Sequence, residues 1–223
     1  MTFHIITLFP ESLGSYLNES ILKRAQEDKK IRIKFYNPRD FEPDPKWRVD
    51  NRPYGGGPGM VIRALPVIKA IQAAIKNTGK LKAKSNNLKA VKIIWLSPSG
   101  TQFDTGYAKK VAKKYTDIVI ICGRYEGIDA RVKKIFRLED VSVGPYVLTG
   151  GELPAMIIID SISRQIEGVL GDFNSLEESR VAASEVYTRP EEFSYKKKKY
   201  RVPKILLSGN HKKIEEWKRK RSL

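Results

Sequence analysis

The sequence predicts an α/β fold with a mainly parallel sheet, followed by a small, basic, helical C-terminal module. Short apolar segments alternate with segments of helical periodicity, which is the pattern of strands joined by crossover helices. Most of these apolar segments lack the alternation of a half-exposed strand, so we expect a sheet covered on both faces. The length of 223 residues suits one such domain with a small appendage.

The first part of the chain reads as a β-α-β unit. We predict a strand over Phe3–Phe9, a helix from Pro10 to Glu27 and a strand over Ile31–Tyr36. Asn37–Gly59 is rich in Pro and Gly and reads as a long loop, a feature that is usually functional or mobile in compact domains. Ala64–Lys76 has helical periodicity.

Three further strands are predicted, and each ends in a loop that contains Gly or Pro. Because ligands of open α/β sheets bind outside the carboxyl ends of the strands, these three loops should form a pocket. The predicted elements are strands Val91–Leu96, Asp117–Cys122 and Leu138–Val143, with helices Asp104–Tyr115, Ile128–Lys134 and Glu152–Gln165.

Charge distinguishes the C-terminal part from the rest. The net charge is +17, and residues 186–223 hold thirteen Lys and Arg against four Glu, which gives +9. Clustered cations favour a polyanionic partner, and the alternative is a solubilising surface. We therefore divide the chain into a domain over 1–170, a linker over 171–185 and a basic module over 186–223.

Several functional classes are disfavoured. The chain has neither a G-x-G-x-x-G nor a phosphate-binding G-x-x-x-x-G-K-[ST] motif, which argues against dinucleotide and nucleoside triphosphate sites. Two histidines, His4 and His211, and one cysteine, Cys122, do not predict a metal centre or a His-activated nucleophile. No segment predicts a membrane span or a signal peptide, so we expect a cytoplasmic protein.

A series of motifs extends over nearly the whole chain. These segments are Ile5-Ile-Thr-Leu-Phe-Pro-Glu11, Pro38-Arg-Asp-Phe41, Arg52-Pro-Tyr-Gly-Gly-Gly-Pro-Gly-Met60, Leu96-Ser-Pro98, Cys122-Gly-Arg-Tyr-Glu-Gly-Ile-Asp129, Gly144 to Ala155, Asp160-Ser-Ile-Ser-Arg164, Gly168-Val-Leu-Gly171, Tyr187-Thr-Arg-Pro190 and Leu206-Leu-Ser-Gly-Asn-His211. In this order they resemble the bacterial tRNA (guanine-N1)-methyltransferases of the trefoil-knotted SPOUT class. The resemblance implies a deep C-terminal trefoil knot, S-adenosylmethionine as methyl donor, tRNA as substrate and a homodimer with its active site at the subunit interface.

The same resemblance implies that the three loops bind the methyl donor. Glycines let a backbone approach an adenine closely, although glycines can also serve tight turns alone. The implied donor-binding residues are Leu96, Ser97, Pro98, Gly100, Gly123, Tyr125, Glu126, Gly127, Val143, Gly144, Tyr146, Leu148, Gly150, Gly151 and Pro154.

Guanine N1 carries a proton, so methylation there needs a general base, and a cation near O6 would stabilise the developing charge. The family places an Arg at the position of Arg164 and an Asp in the linker. Here the linker has Glu instead, so the base position falls on Glu178, with Glu177 as the alternative. An ordinary ion-pair role for Arg164 and an exposed acidic linker are the non-catalytic interpretations.

The resemblance also implies a set of contacts to substrate or RNA. It leaves open a divalent ion such as magnesium, and it implies a shortened C-terminal module, since the family usually continues past residue 223. The alternative functions are a knotted methyltransferase for another RNA position and a tRNA-binding protein without catalysis. The implied substrate and RNA residues are Asp50, Arg52, Tyr54, Gly55, Gly56, Gly57, Arg189, Lys196, Lys197, Lys198 and Lys199.

Overall fold

The computed structural model describes residues 1–44, 46–78, 91–171 and 185–221. The chain forms two compact units, Met1–Val169 and Leu170–Leu223. The first unit ends one residue before the domain boundary that we place at 170.

The chain begins with strand β1 (Thr2–Ile6), helices α1 (Glu11–Leu17) and α2 (Ser20–Glu27), and strand β2 (Arg32–Tyr36). The prediction of one helix from Pro10 to Glu27 is therefore wrong. Ser20 has a positive φ of 50°, a conformation that a continuous right-handed helix does not contain. Each of the two helices buries its own apolar pair, so the break aligns both with the core.

The long loop predicted over Asn37–Gly59 contains some regular structure. A 3-10 turn covers Pro38–Phe41, and the two-residue strands β3 (Asp50–Asn51) and β4 (Val61–Ile62) pair antiparallel. This pairing closes the base of the Gly-rich segment, which thus projects as one loop. Helix α3 (Ala64–Asn77) follows as predicted.

The strands and helices that bound the predicted pocket come next: β5 (Val91–Gln102), α4 (Thr105–Lys114), β6 (Asp117–Ile121), a 3-10 turn over Ala130–Lys134, β7 (Glu139–Ser142) and α5 (Glu152–Ser163). We predicted that the first of these strands ends at Leu96, and that is wrong. Extended pairing with β7 continues to Gln102, with a register shift between Leu96 and Thr101. The first predicted loop is thus a bulge within β5.

The five long strands of the first unit form a single sheet in the order β2-β1-β6-β5-β7, and every neighbouring pair is parallel. A hydrophobic cluster covers each face: one lies around α1, α2, α4 and α5, and the other around α3. β6 is buried along its whole length, as the apolar run that follows Asp117 predicts. The predicted α/β fold with a mainly parallel sheet is confirmed.

The second unit contains a hairpin and a helical segment. Strands β8 (Glu192–Tyr195) and β9 (Lys198–Arg201) pair antiparallel, and a 3-10 turn (Lys204–Leu207) precedes helix α6 (His211–Arg219). The helical part of the module is as predicted, but the hairpin is not. None of the described residues from Glu185 to Arg221 is buried.

Candidate active site

The loops that follow β6 and β7 meet the bulge of β5 at one edge of the sheet. The amide of Gly151 donates a hydrogen bond of 2.9 Å to the carbonyl of Gly123, and Arg124 and Gly150 form an antiparallel bridge. Together the loops enclose a cavity of about 470 Å³. The structure thus brings together three segments that are spread from Trp95 to Pro154 in the sequence.

All of the predicted donor-binding residues except Gly100 line this cavity. Gly100 instead packs against β7, where an added Cβ would lie 2.4 Å from the backbone nitrogen of Val141. Its glycine is therefore needed for strand packing. Gly151 combines both roles, because it lines the cavity and an added Cβ would lie 2.7 Å from Cα of Cys122.

A buried ion pair joins these loops, and the sequence did not predict it. Glu152 is 4% exposed, and its carboxylate lies 2.8 Å from Nε of Arg124 and accepts a 2.7 Å hydrogen bond from the hydroxyl of Thr7. The guanidinium of Arg124 also lies 4.7 Å from the ring centre of Phe9. Thus the end of β1, the loop after β6 and the start of α5 share one polar contact. The signal was present, since all four residues fall within the quoted motifs or beside them.

The Gly-rich loop is attached to the same region through its C-terminal end. The amide of Glu126 donates to the carbonyl of Met60, and the amide of Ile62 donates to the carbonyl of Gly127, both at 3.0 Å. At the loop's other end, Asp50 is 5% exposed and accepts a 3.0 Å hydrogen bond from Arg48. The carboxylate of Asp50 is therefore paired with a residue that precedes the loop.

The tip of the Gly-rich loop is open to solvent. Tyr54 is fully exposed, and Gly55, Gly56 and Gly57 all have positive φ. Arg52 and Tyr54 line a shallow, cation-containing cleft with Arg48, Asn51 and Met60. The loop thus carries an exposed aromatic ring and cations, and it is bonded to the cavity wall at Glu126.

Arg164 lies at the opposite end of α5 from the cavity. The helix begins beside Gly151 and ends at Ser163, with Arg164 as its C-terminal cap. Its neighbour Asp160 accepts a hydrogen bond from the hydroxyl of Tyr16, and this bond raises the pKa of Tyr16. Glu177 and Glu178, the predicted base positions, lie outside the described residues.

The remaining titratable side chains that were considered from the sequence include His4 and Cys122, which are buried within the fold. His4 is fully buried in β1, with its two ring nitrogens 3.0 Å from the hydroxyl of Tyr36 and 3.3 Å from the carboxylate of Asp117. Burial raises the pKa of the Cys122 thiol well above its ordinary value. Within the described ranges, no group of three or more His, Cys, Asp or Glu side chains could hold a metal ion.

The basic residues of the second unit are at its surface. Arg189 is exposed, and Lys196 to Lys199 form the turn of the hairpin and the start of β9. The ring of Tyr187 lies 6.3 Å from that of Trp217, which ties the segment before the hairpin to α6. No helix in the part of the chain that the structure describes is long and apolar enough to cross a membrane.

Comparisons with known proteins agree with this geometry. The sequence profile of the tRNA (Guanine-1)-methyltransferase TrmD family matches residues 1–223. A tRNA (guanine-N(1)-)-methyltransferase of Clostridioides difficile is 44% identical over 227 aligned positions, which cover 100% of this chain and 93% of the relative. A protein of the same name from Dictyoglomus turgidum is 44% identical over 223 positions, which cover 98% of this chain and 84% of the relative.

A solved structure shows the same fold. The crystal structure of the tRNA (m1G37) methyltransferase from Aquifex aeolicus matches with a TM-score of 0.76 at 36% identity, over 98% of this chain and 87% of that one. This match confirms the fold class that the resemblance implies, the α/β fold of the knotted SPOUT methyltransferases. The chain therefore belongs to the tRNA (guanine-N1)-methyltransferase family.

Proposed function

We propose that this protein transfers the methyl group of S-adenosylmethionine to N1 of the guanine at position 37 of tRNA, immediately 3′ of the anticodon. The observation that carries the proposal is the cavity at the carboxyl ends of β5, β6 and β7. Its lining includes all but one of the residues implied to bind the donor, in a chain that matches the family over its full length.

The cavity suits such a donor in size and surface. Its volume of about 470 Å³ lies within the usual range for small-molecule sites. Leu96, Val143 and Pro154 provide apolar walls, and the glycines of the three loops leave backbone groups accessible to an adenosine. When bound, S-adenosylmethionine supplies a methyl group already activated by its sulfonium. The task of the protein is therefore to hold guanine N1 in line with that methyl group and to remove its proton.

We assign proton removal to Glu178, with Glu177 as the alternative, and stabilisation of the charge on O6 to Arg164. Glu reaches one methylene further than Asp at nearly the same acidity, so a shifted backbone can preserve the function. The family context Asp160-Ser-Ile-Ser-Arg164 supports the assignment of Arg164.

A homodimer would explain why Arg164 is remote from the donor cavity of its own subunit. Ten residues of helix separate it from Pro154, a distance of about 15 Å at the α-helical rise. Apolar side chains on α1 and α5 also remain half-exposed around a shallow cavity: Tyr16 is 50%, Leu153 51% and Ile157 39% exposed. We propose that a second subunit covers this surface and that each active site uses residues of both subunits.

The substrate and RNA contacts remain those predicted. We assign Arg52, Tyr54 and the glycines of the Gly-rich loop to the target base, and Arg189 with the four lysines to phosphates. The structure supports this for the exposed loop tip more than for Asp50, which is buried. A cytoplasmic location also remains a prediction. A divalent ion such as magnesium is tested by transfer assays with and without a chelator.

The direct test is methyl transfer from labelled S-adenosylmethionine to unmodified tRNA transcripts, with either guanine or adenine at position 37. We expect label only in the guanine transcript. Equal transfer to both transcripts would contradict the proposed position, and donor binding without transfer to any RNA would support a binding-only protein. Glu178→Gln and Arg164→Ala should each lower turnover by about 10²- to 10⁴-fold while donor affinity is retained.

A further inference from the structure

We propose that the β8–β9 hairpin binds unpaired nucleotides of the RNA substrate, with bases stacked on its aromatic face and phosphates held by its lysines. The inference rests on the proposed function for the identity of the RNA. It adds a second mode of recognition to the phosphate contacts expected for the four lysines.

One face of the hairpin is aromatic. In the observed register Phe193 lies opposite Tyr200, and Tyr195 lies opposite Lys198, so these four side chains share a face. The rings of Phe193 and Tyr200 are stacked, with centres 5.4 Å apart and an interplanar angle of 16°. Phe193 and Tyr195 are more than half exposed, and Tyr200 is 40% exposed.

The charged side chains of the other face form ion pairs with one another. The carboxylate of Glu192 contacts Lys199 at 2.9 Å and also pairs with Arg201 across the strands. Hydrogen bonds from these two cations lower the pKa of Glu192. The single acidic side chain of the hairpin is therefore occupied within the hairpin, and its negative charge does not oppose a polyanion on the aromatic face.

The two central residues of the hairpin turn are not of the types that this turn favours. Lys196 and Lys197 both have positive φ, 47° and 62°, the pair of conformations typical of a type I′ hairpin turn. Asn and Gly adopt this geometry with little strain, whereas Lys has no such advantage. Two lysines at the tip place charge there at a conformational cost, as is common at functional sites.

Cations and rings are interleaved along the hairpin. The ammonium of Lys196 lies 5.5 Å from the ring centre of Tyr195, and that of Lys198 lies 5.5 Å from the ring centre of Tyr200. From Glu192 to Arg201 the net charge is +4. A second copy of so cationic a surface would be repelled, whereas a nucleic acid would be attracted.

The rings favour unpaired nucleotides over a duplex. Phosphates of a duplex are held by cations alone, whereas exposed aromatic rings between cations are the arrangement with which proteins stack single-stranded bases. The hairpin makes one stacked cross-strand pair and has no buried residue. Its three exposed rings on one face are therefore more than its own stability requires.

The test compares matched variants of the full chain. Tyr195→Leu removes a ring and keeps apolar volume, while Tyr195→Phe keeps the ring. Binding is measured by fluorescence anisotropy to a labelled single-stranded RNA oligonucleotide and to the duplex of the same sequence. We expect Tyr195→Leu to weaken single-strand binding about tenfold with an unchanged salt dependence, and Tyr195→Phe to bind like the wild type. Duplex binding should be the same for all three proteins.

A charge variant separates the two parts of the proposal. Lys197→Gln should reduce the slope of log affinity against log salt by about one for both RNAs. Lys199→Gln should change it less, since Lys199 is already paired with Glu192. The donor affinity of every variant, measured by calorimetry, reports whether the first unit is folded.

Two results would overturn the inference: single-strand binding by Tyr195→Leu equal to that of the wild type, or an equal loss with single strand and duplex. A change of oligomeric state in Tyr195→Leu, measured by sedimentation, would assign the face to a second copy and also overturn it. Methyl transfer by the wild type is measured separately. If it fails while the hairpin variants behave as expected, the proposed function is wrong and the hairpin inference stands.

Discussion

The proposed donor cavity and the C-terminal hairpin, the two proposed ligand sites, are built in opposite ways. The cavity is held by backbone hydrogen bonds and by the ion pair of Glu152 with Arg124, where the carboxylate is almost fully buried. The hairpin has exposed charges and rings on a segment without buried residues. Binding in the cavity should therefore depend on shape and respond to small changes of volume, whereas binding at the hairpin should depend on charge and respond to salt.

Salt should separate the two regions most strongly. If Lys196, Lys197 and Lys198 each neutralise one phosphate, RNA affinity should fall about 20- to 40-fold between about 50 and about 200 mM salt. Donor affinity should change less than about twofold, because its contacts are in the main uncharged. Titrations of the same protein with tRNA and with donor over this range check the prediction. A similar salt dependence for both ligands would remove the contrast.

Breaking the buried ion pair should lower the stability of the fold and the affinity for the donor, but not RNA binding. Glu152→Ala leaves Arg124 without its carboxylate and Thr7 without its acceptor, and we expect a loss of about 2 kcal/mol in the free energy of unfolding. This estimate is below that for a fully buried pair, because the Arg124 side chain is 25% exposed. Donor affinity should fall with it, since the pair joins two loops of the cavity.

Thermal unfolding and donor calorimetry measure both effects. Glu152→Gln provides the matched variant, because it keeps an oxygen for Thr7 while removing the charge; it should lie between Glu152→Ala and the wild type. RNA binding by the oligonucleotide assay should stay unchanged in both. Wild-type donor affinity in Glu152→Ala would show that the ion pair does not position the loops.

A smaller loss is expected when a methyl group is added where two loops touch. In Gly151→Ala the new Cβ would lie 2.7 Å from Cα of Cys122, so the loops must separate, at about 1 to 2 kcal/mol. Gly14→Ala is the control, since its Cβ meets only the Asn18 side-chain amide at 3.6 Å and lies in a helix. It should unfold at the wild-type temperature or slightly above, because Ala favours helices over Gly.

The smallest effect concerns the thiol beside the cavity. Burial raises the pKa of Cys122, so its reactive thiolate form needs a higher pH in the folded protein than in the unfolded chain. Labelling by a maleimide at pH 8 should therefore proceed only as fast as the protein opens, and saturating donor should slow it further. Labelling as fast as in denaturant would contradict the burial of this residue.

The sequence predicted the elements of the first unit well, because strands buried on both faces are read from uninterrupted apolar runs such as Ile118–Cys122. Its errors occur where tertiary contacts override local pattern. Nothing local shows that Gly100 faces the backbone of β7, or that pairing resumes after the bulge at Leu96. The helix break at Ser20 could not be predicted from the sequence either, since serine is not a usual residue at positive φ.

Two functional features were missed for different reasons. A 3-10 turn and strand β7 separate the partners Arg124 and Glu152, and no sequence pattern states which carboxylate faces which cation. The hairpin lacks the Asn-Gly or Asp-Gly signal of a tight turn, so four successive lysines read as a charge run. In both cases the sequence shows the residues, but it does not show which of them lie opposite each other in the fold.

The most direct test of the account is the identity of the methylated nucleoside. Wild-type protein is incubated with an unmodified tRNA transcript and S-adenosylmethionine, and the digested RNA is analysed by mass spectrometry against nucleoside standards. We expect 1-methylguanosine, located at position 37 by fragment mapping. Another methylated nucleoside, or 1-methylguanosine at another position, would contradict it.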